Sequence, residues 1–386
     1  MADDSLDLPW QYDFVRLPEL TAFYSHSLVT LLDGLGVTLF VSSMPAGKLI
    51  VVHAVGNRLS LQVRSFEQIA GIAVDRHHLA VATAGPQTWL LPNEPALAAV
   101  LAPDASYDAC FVCRTAHFSG TISSHEIAWT DNGLLIANTR FSCLCSLDEH
   151  HSFVPRWQPP FVSELAPEDR CHLSGLALEG GTARYVTCFG ATDSAAGWRR
   201  TVTGGGCLVD VPGVRIVADG LTMPHSPRLL GDKVFLLDSG TGRLVAADPA
   251  SGRVTPVVEF GAFLRGLAFA GSLAFVGLSK MRRLRTSLAL DCPLLQGDGR
   301  CGVWVIDVAT ARTVGFVEFV AGIDEIFDVQ LLDGVRCPTV IGPATRAGSA
   351  SIAGTYVLPG GRVIAAREED LPLAPHPARD TRVSIT

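Results

Sequence analysis

Charge is scarce in this 386-residue chain: 18% of residues are charged against 48% hydrophobic. That balance excludes a disordered polymer and leaves ample material for a large core. A basic excess is missing too. Thirty Lys and Arg against 38 Asp and Glu give a net charge of −8, so no surface devoted to phosphate backbones or anionic lipid is expected, and nucleic acid is not an expected partner. Gly, Asp, Arg or Ser interrupts every apolar stretch before it reaches roughly eighteen residues, so no membrane-spanning helix is expected. The first residues, Met1 to Ser5, are acidic and lack the basic start and apolar stretch of an export signal. Ten cysteines over this length do not make a dense disulfide framework, so reduced thiols and a cytoplasmic location are expected.

Familiar catalytic signatures are absent as well: no P-loop, dinucleotide fingerprint, GxSxG elbow or HExxH helix occurs. The glycine run Gly204 to Gly206 precedes a strand pattern, so it lacks the helix N-terminus that cradles phosphate. Cys110 and Cys113 have C-x-x-C spacing without a second pair and read as structural. A Cys143–Cys145 disulfide would be strained. Cys292 and Cys301 flank a turn-rich insertion and could bridge only in an oxidising setting.

What is present is the grammar of β-structure. Apolar runs of about four to eight residues, rich in Val, Leu, Ile and Phe, are separated by Gly, Asp, Asn and Pro. From Pro227 to Val258 the pattern reads PRLL, VFLLD, SGTG, RLVAAD, PASG, RVTPVV, a four-stranded meander of the size of one propeller blade. Weak copies of its opening start at His26, Gln68, His125, His172, His225, Leu264 and Ile326. Such repetition predicts an all-β single propeller over 21–366, with seven blades favoured and six as the alternative, an N-terminal arm over 1–20 and a polar tail over 367–386. Insertions are expected at 143–170, a proline-rich candidate cap carrying Trp157, and at 280–300, whose basic start could face an anionic group.

In a propeller the first strand of each blade lines the axis, so the openings place His26, His125, His172 and His225 around one channel. Taken singly, each histidine reads as a hydrogen-bonded structural imidazole. Together, they make a nitrogen site for zinc, iron or copper. Aligning the third and fourth openings sets His125 opposite Ser174 and leaves His172 two residues away, on the same strand face at another depth. Carboxylates near that level are Glu126, Asp324, Glu325 and Asp328, with Glu126 or Asp328 as proton carriers. Arg228 and Arg265 could hold a substrate carboxylate, although salt bridges within the channel account for these charges almost as well.

The run NTRFSCLCSLDEHHSFVPRW from Asn138, together with MPHSPRLL from Met223, resembles a bacterial family of conserved hypothetical proteins. The resemblance covers about Leu17 to Val363 and implies a propeller-like fold without an assigned activity or catalytic residue. At the level of architecture alone, a histidine-ringed channel is also similar to a zinc-using propeller lyase and to iron-dependent carotenoid oxygenases. The expected function is a metal-dependent enzyme acting on a small molecule or peptide, with lyase, hydrolase and oxygenase chemistry all open. The alternative is a non-catalytic propeller that binds a peptide or protein on its top face through the Trp157 loop. Oligomeric state is not legible, because blade faces are buried against one another.

Overall fold

The computed structural model describes residues 11–101, 107–280, 299–343, 355–358 and 362–365. Its sheets form six blades of a single propeller, each built outward from an innermost strand. Blade two comprises Ile69–Val74, His78–Thr83, Gln87–Pro92 and Thr115–Phe118; blade three comprises Ser124–Thr130, Gly133–Asn138, Cys143–Ser146 and Val154–Trp157. Blade four runs Leu173–Glu179, Thr182–Cys188, Gly206–Asp210 and Arg215–Leu221; blade five runs Pro224–Leu230, Lys233–Asp238, Arg243–Ala247 and Val254–Glu259. Blade six has Phe263–Ala270, Leu273–Ser279, Gly302–Asp307 and Arg312–Ala321, extended at its outer edge by Leu20–Ser25 and Tyr12–Leu17.

Blade one closes the ring. Its inner strand, Asp328–Asp333, comes from late in the chain and pairs antiparallel with Val37–Ser43, which continues into Lys48–Val55 and Arg58–Ser65. The openings read at His26 and Ile326 are therefore two halves of one blade, and the favoured count of seven is corrected to six. Two-residue turns join several inner strands to their neighbours. The Gly180–Gly181 turn has φ of 54° and 74°, the left-handed geometry that matches strand twist and that glycine adopts without strain.

His26 does not open an inner strand. It begins an α-helix, His26–Leu35, in which Ser25 Oγ accepts from Leu28 N at the N-terminus and Gly36 adopts the left-handed conformation at the end. Leu28, Val29 and Leu32 share the face buried between blades six and one, while His26 itself is exposed. The arm expected over 1–20 is, where described, largely the hairpin that extends blade six. The cap expected over 143–170 contains the outer strands of blade three, Cys143–Ser146 and Val154–Trp157, with loops over 147–153 and 158–170. The basic part of the 280–300 insertion, Cys292 and the tail over 367–386 lie outside the described residues. The nine described cysteines are free thiols, and among the described residues no helix is long and apolar enough to cross a membrane.

Candidate functional site

Register layers the channel. Five of the six inner strands carry an irregularity soon after they begin, between Ile69/Ile72, Ser124/Ile127, Leu173/Gly175, His225/Arg228 and Leu264/Leu267. Bulges bend a strand and re-aim its side chains. Aligned on the hairpins that follow, one level at the upstream end holds Ala70, His125, Ser174, His225, Arg265 and Phe327, taken in order from blade two round to blade one. Two residues further upstream lie Gln68, Ser123, His172, Met223, Phe263 and Glu325.

These two levels bring three of the four predicted histidines together. The His125 ring centroid is 5.1 Å from that of His225 and 5.7 Å from that of His172. Phe327 lies 5.1 Å from His125, and Phe189 and Trp198 lie 4.3 and 4.5 Å from His172. His26, exposed on its helix, is remote from the cluster, so the four-histidine arrangement is corrected to three.

Arg265 faces the same cluster. Its Nη2 donates to His125 Nε2 at 2.9 Å, its Nη1 lies 3.4 Å from Glu325 Oε1, and its guanidinium carbon sits 3.8 Å from the Phe327 ring centroid. Stacking on an aromatic face suits the weakly hydrated guanidinium and fixes its plane. Burial, followed by the nearby Arg265 charge, pushes the His125 and His225 imidazoles well below the usual histidine range. Both are neutral at pH 7. With Nε2 accepting from arginine, the His125 proton is on Nδ1. His225 Nδ1 pairs with Ser239 Oγ at 2.8 Å.

His172 is held differently. Its Nδ1 lies 3.0 Å from Asp169 Oδ2, which also accepts from Trp198 Nε1 at 3.0 Å. Asp169 is anchored by its backbone N–H to Arg140 O and by the adjacent Arg170, which grips Glu164, Glu168 and Asp193 at 2.9–3.0 Å. A carboxylate on Nδ1 fixes the tautomer and leaves Nε2 as the proton-accepting atom. The His172 backbone has φ of 51°, but so do its counterparts before the inner strands of blades two, three and five: Gln68 at 50°, Ser123 at 54° and Met223 at 53°. That strain belongs to the blade repeat and carries no message about chemistry.

The predicted carboxylates and the second arginine lie deeper. Glu126 Oε2 accepts from Leu176 N at 3.0 Å, and Glu126 forms an ion pair with Arg228 across blade four. Asp328 accepts from Ile72 N at 3.0 Å and from Val329 N at 2.7 Å. Both side chains stitch one blade to the next. Burial raises the Glu126 carboxyl, and burial together with neighbouring Glu126 pushes Asp328 up to about 7. Asp324 is exposed and pairs with Lys280 at 2.9 Å. Trp157 is half-buried against the core shared by blades three and four, so it does not stand out as an anchor for a partner.

Sequence reasoning missed Asp169, Phe189, Trp198 and Phe327. Asp169 leaves a trace in its spacing three residues before His172. Phe189 and Trp198 leave none, because the long connection between the second and third strands of blade four brings them in, whereas Phe327 stands at the inner-strand opening read at Ile326, in the register of His125.

The model of a family described as Domain of unknown function (DUF4915) matches residues 26–341, and the chain belongs to that family. No curated protein matches. Among solved structures, a chain from the crystal structure of a nidogen/laminin complex is similar at 12% identity with a TM-score of 0.48, covering 78% of this chain and 99% of that one. A Bacteroides caccae protein of unknown function is similar at 10% identity with a TM-score of 0.48, covering 76% and 98%.

Proposed function

We propose that this DUF4915 protein is an enzyme that removes a proton from a small carboxylate-bearing molecule at the upstream end of its channel, in lyase-type chemistry. The observation that carries the reading is the Asp169–His172 pair beside the stacked guanidinium of Arg265. His172 Nε2 takes the proton, the freed bonding pair forms a carbon–carbon double bond as the substituent on the adjacent carbon leaves with its own pair, and Asp169 stabilises the imidazolium that forms. Arg265 and the Nδ1–H of neutral His125 hold the substrate carboxylate, where aromatic walls exclude water and strengthen the attraction. Glu126 and Asp328 serve this site by fixing the strand that carries His125 and the strand that follows Phe327.

A thermal-shift screen of small 2-hydroxy and 2-oxo carboxylates tests the reading. At least one is expected to raise the melting temperature, with the rise lost in Arg265→Gln, and turnover of that compound should be lost in His172→Gln with binding retained. Stabilisation that persists in Arg265→Gln would sink it.

A second reading has its own support in the three neighbouring imidazoles, a donor set suited to zinc, iron or copper. Among the described residues no three His, Cys, Asp or Glu side chains form a group that could hold an ion as they stand, so this reading requires the rings to turn. Metal analysis of untagged protein separates the two. Near-stoichiometric metal, lost on joint substitution of His172 and His225, supports the metal enzyme.

A further inference from the structure

The downstream end of the channel holds a cavity of about 500 Å³ to which every inner strand contributes. Its walls repeat by register. One level places Val74, Trp129, Leu178, Leu229, Phe269 and Leu331 round the axis, one from each blade. On the neighbouring level, three blades supply alanine to the wall (Ala73, Ala128 and Ala268), while blade five supplies Arg228 and blade one Gln330. Large apolar side chains at one level, with Glu126, Arg228 and Gln330 deeper and Asp75 at the rim, give the chamber apolar walls and a few convergent polar groups, the usual form of a small-molecule site.

The polar groups define what fits. Arg228 Nη1 makes the contacts to Leu176 O, Pro227 O and Glu126, and among the described residues its Nε and Nη2 hydrogens are unengaged. Gln330 Nε2 donates to Asp328 at 3.3 Å, which leaves its carbonyl oxygen as an acceptor. The chamber thus offers donors and an acceptor at one end. Charge decides between acids and amides. The chamber wall already carries two carboxylates, Glu126 and Asp75, against the single cation Arg228, so a further carboxylate would meet a net negative wall, whereas a carbonyl would not.

We propose that this cavity binds an uncharged apolar molecule carrying a secondary amide or lactam, its carbonyl on Arg228 and its N–H on Gln330. The site is separate from the histidine cluster and does not depend on the chemistry there.

Calorimetry with 2-quinolinone, a bicyclic lactam, tests the proposal against quinoline-2-carboxylate, which presents a charge on a ring of similar size. The lactam is expected to bind and the carboxylate to bind at least about tenfold more weakly. Arg228→Met should weaken the lactam about tenfold, the loss of one good hydrogen bond. Because that variant strips Glu126 of its partner, Leu178→Trp at a half-buried wall position serves as the second probe and should abolish binding by filling the chamber. His172→Gln should leave binding unchanged. A lactam that does not bind, binds Leu178→Trp equally well, or binds no better than the carboxylate would overturn the assignment.

Discussion

Odd and even blades solve the problem of the axis in opposite ways. At one level the odd blades present rings, Phe327, His125 and His225, while the even blades present Ala70, Ser174 and Arg265. At the next level the odd blades carry Asp328, Glu126 and Ser226, and the even blades carry only glycine: Gly71, Gly175 and Gly266. The two patterns interlock. Asp328 reaches the Ile72 N–H of blade two, and Glu126 reaches the Leu176 N–H of blade four. Each glycine admits the backbone of the next odd blade. A Cβ at Gly71 would lie 2.6 Å from His125 O, one at Gly175 3.0 Å from Ser226 N and 2.4 Å from the Pro227 ring, and one at Gly266 2.5 Å from Val329 N. At these two upstream levels the inner strands approach too closely for six large side chains at one height, and alternation by blade pairs satisfies that limit, whereas downstream the axis widens into the cavity lined by Val74, Trp129, Leu178, Leu229, Phe269 and Leu331. The histidines converge because alternate blades are the ones with room for a ring.

Removing an odd-blade carboxylate should disturb this arrangement most. Glu126→Ala leaves the Leu176 N–H and the Arg228 guanidinium without their buried acceptor, and breaking a buried pair from one side costs about 3–5 kcal/mol. Urea denaturation should show that loss, and a loss below about 1 kcal/mol would mean that Glu126 does not hold blades three and four together. On the even side, Gly266→Ala combines a clash against blade one with a φ of 80°. Overpacking and left-handed strain together give an expected cost of about 2–4 kcal/mol. The same substitution at Gly56, which has φ of 57° and open space around its Cβ position, measures the strain alone, and equal losses at the two positions would refute the packing argument.

Sequence reading captured whatever local turns specify. Blade five was legible because Gly231, Gly240, Gly242 and Gly252 punctuate its strands at hairpin spacing. The blade count failed at the one place where a sheet is assembled from remote segments: nothing near Val37 announces that Asp328–Asp333 will lie beside it. His26 was misplaced although its neighbourhood carries helix signals, with Ser25 as cap, Leu28, Val29 and Leu32 on one face, and Gly36 as terminator. Repetition was sufficient to bring His125 and His225 to equivalent places. It could not supply Asp169, Trp198 or Phe189, whose positions depend on loop paths that obey no period.

Proton linkage probes the odd-blade carboxylates without mutating them. Asp328 titrates near 7 in the folded chain and near its ordinary value of about 4 when unfolded. Between those values the folded state holds the extra proton, so the Asp328 contribution to stability is greatest on the acid side of the window and falls as pH rises through it. The slope approaches about 1.4 kcal/mol per pH unit where the difference is one full proton. Because His125 and His225, held neutral by burial, contribute the opposite slope over the acid part of this window, the measure is wild type against Asp328→Asn: wild-type stability relative to the variant should fall as pH rises from 5 to 7, and a difference that stays constant would contradict a buried, proton-holding Asp328.

The smallest expected effect separates blade five from its odd partners. Ser226 occupies the position of Glu126 and Asp328, but its side chain is too short to reach across as theirs do, and its backbone is held at φ of 50°. Glycine would relieve about 1–2 kcal/mol of left-handed strain while adding roughly 0.5–1 kcal/mol of unfolded-state entropy. Ser226→Gly is therefore expected to stabilise the protein by about 1 kcal/mol or less, opposite in sign to Glu126→Ala at the equivalent place. If it destabilises by more than about 1 kcal/mol instead, the Ser226 hydroxyl joins blade five to blade six as the carboxylates join the other pairs, and the alternation is complete round the ring.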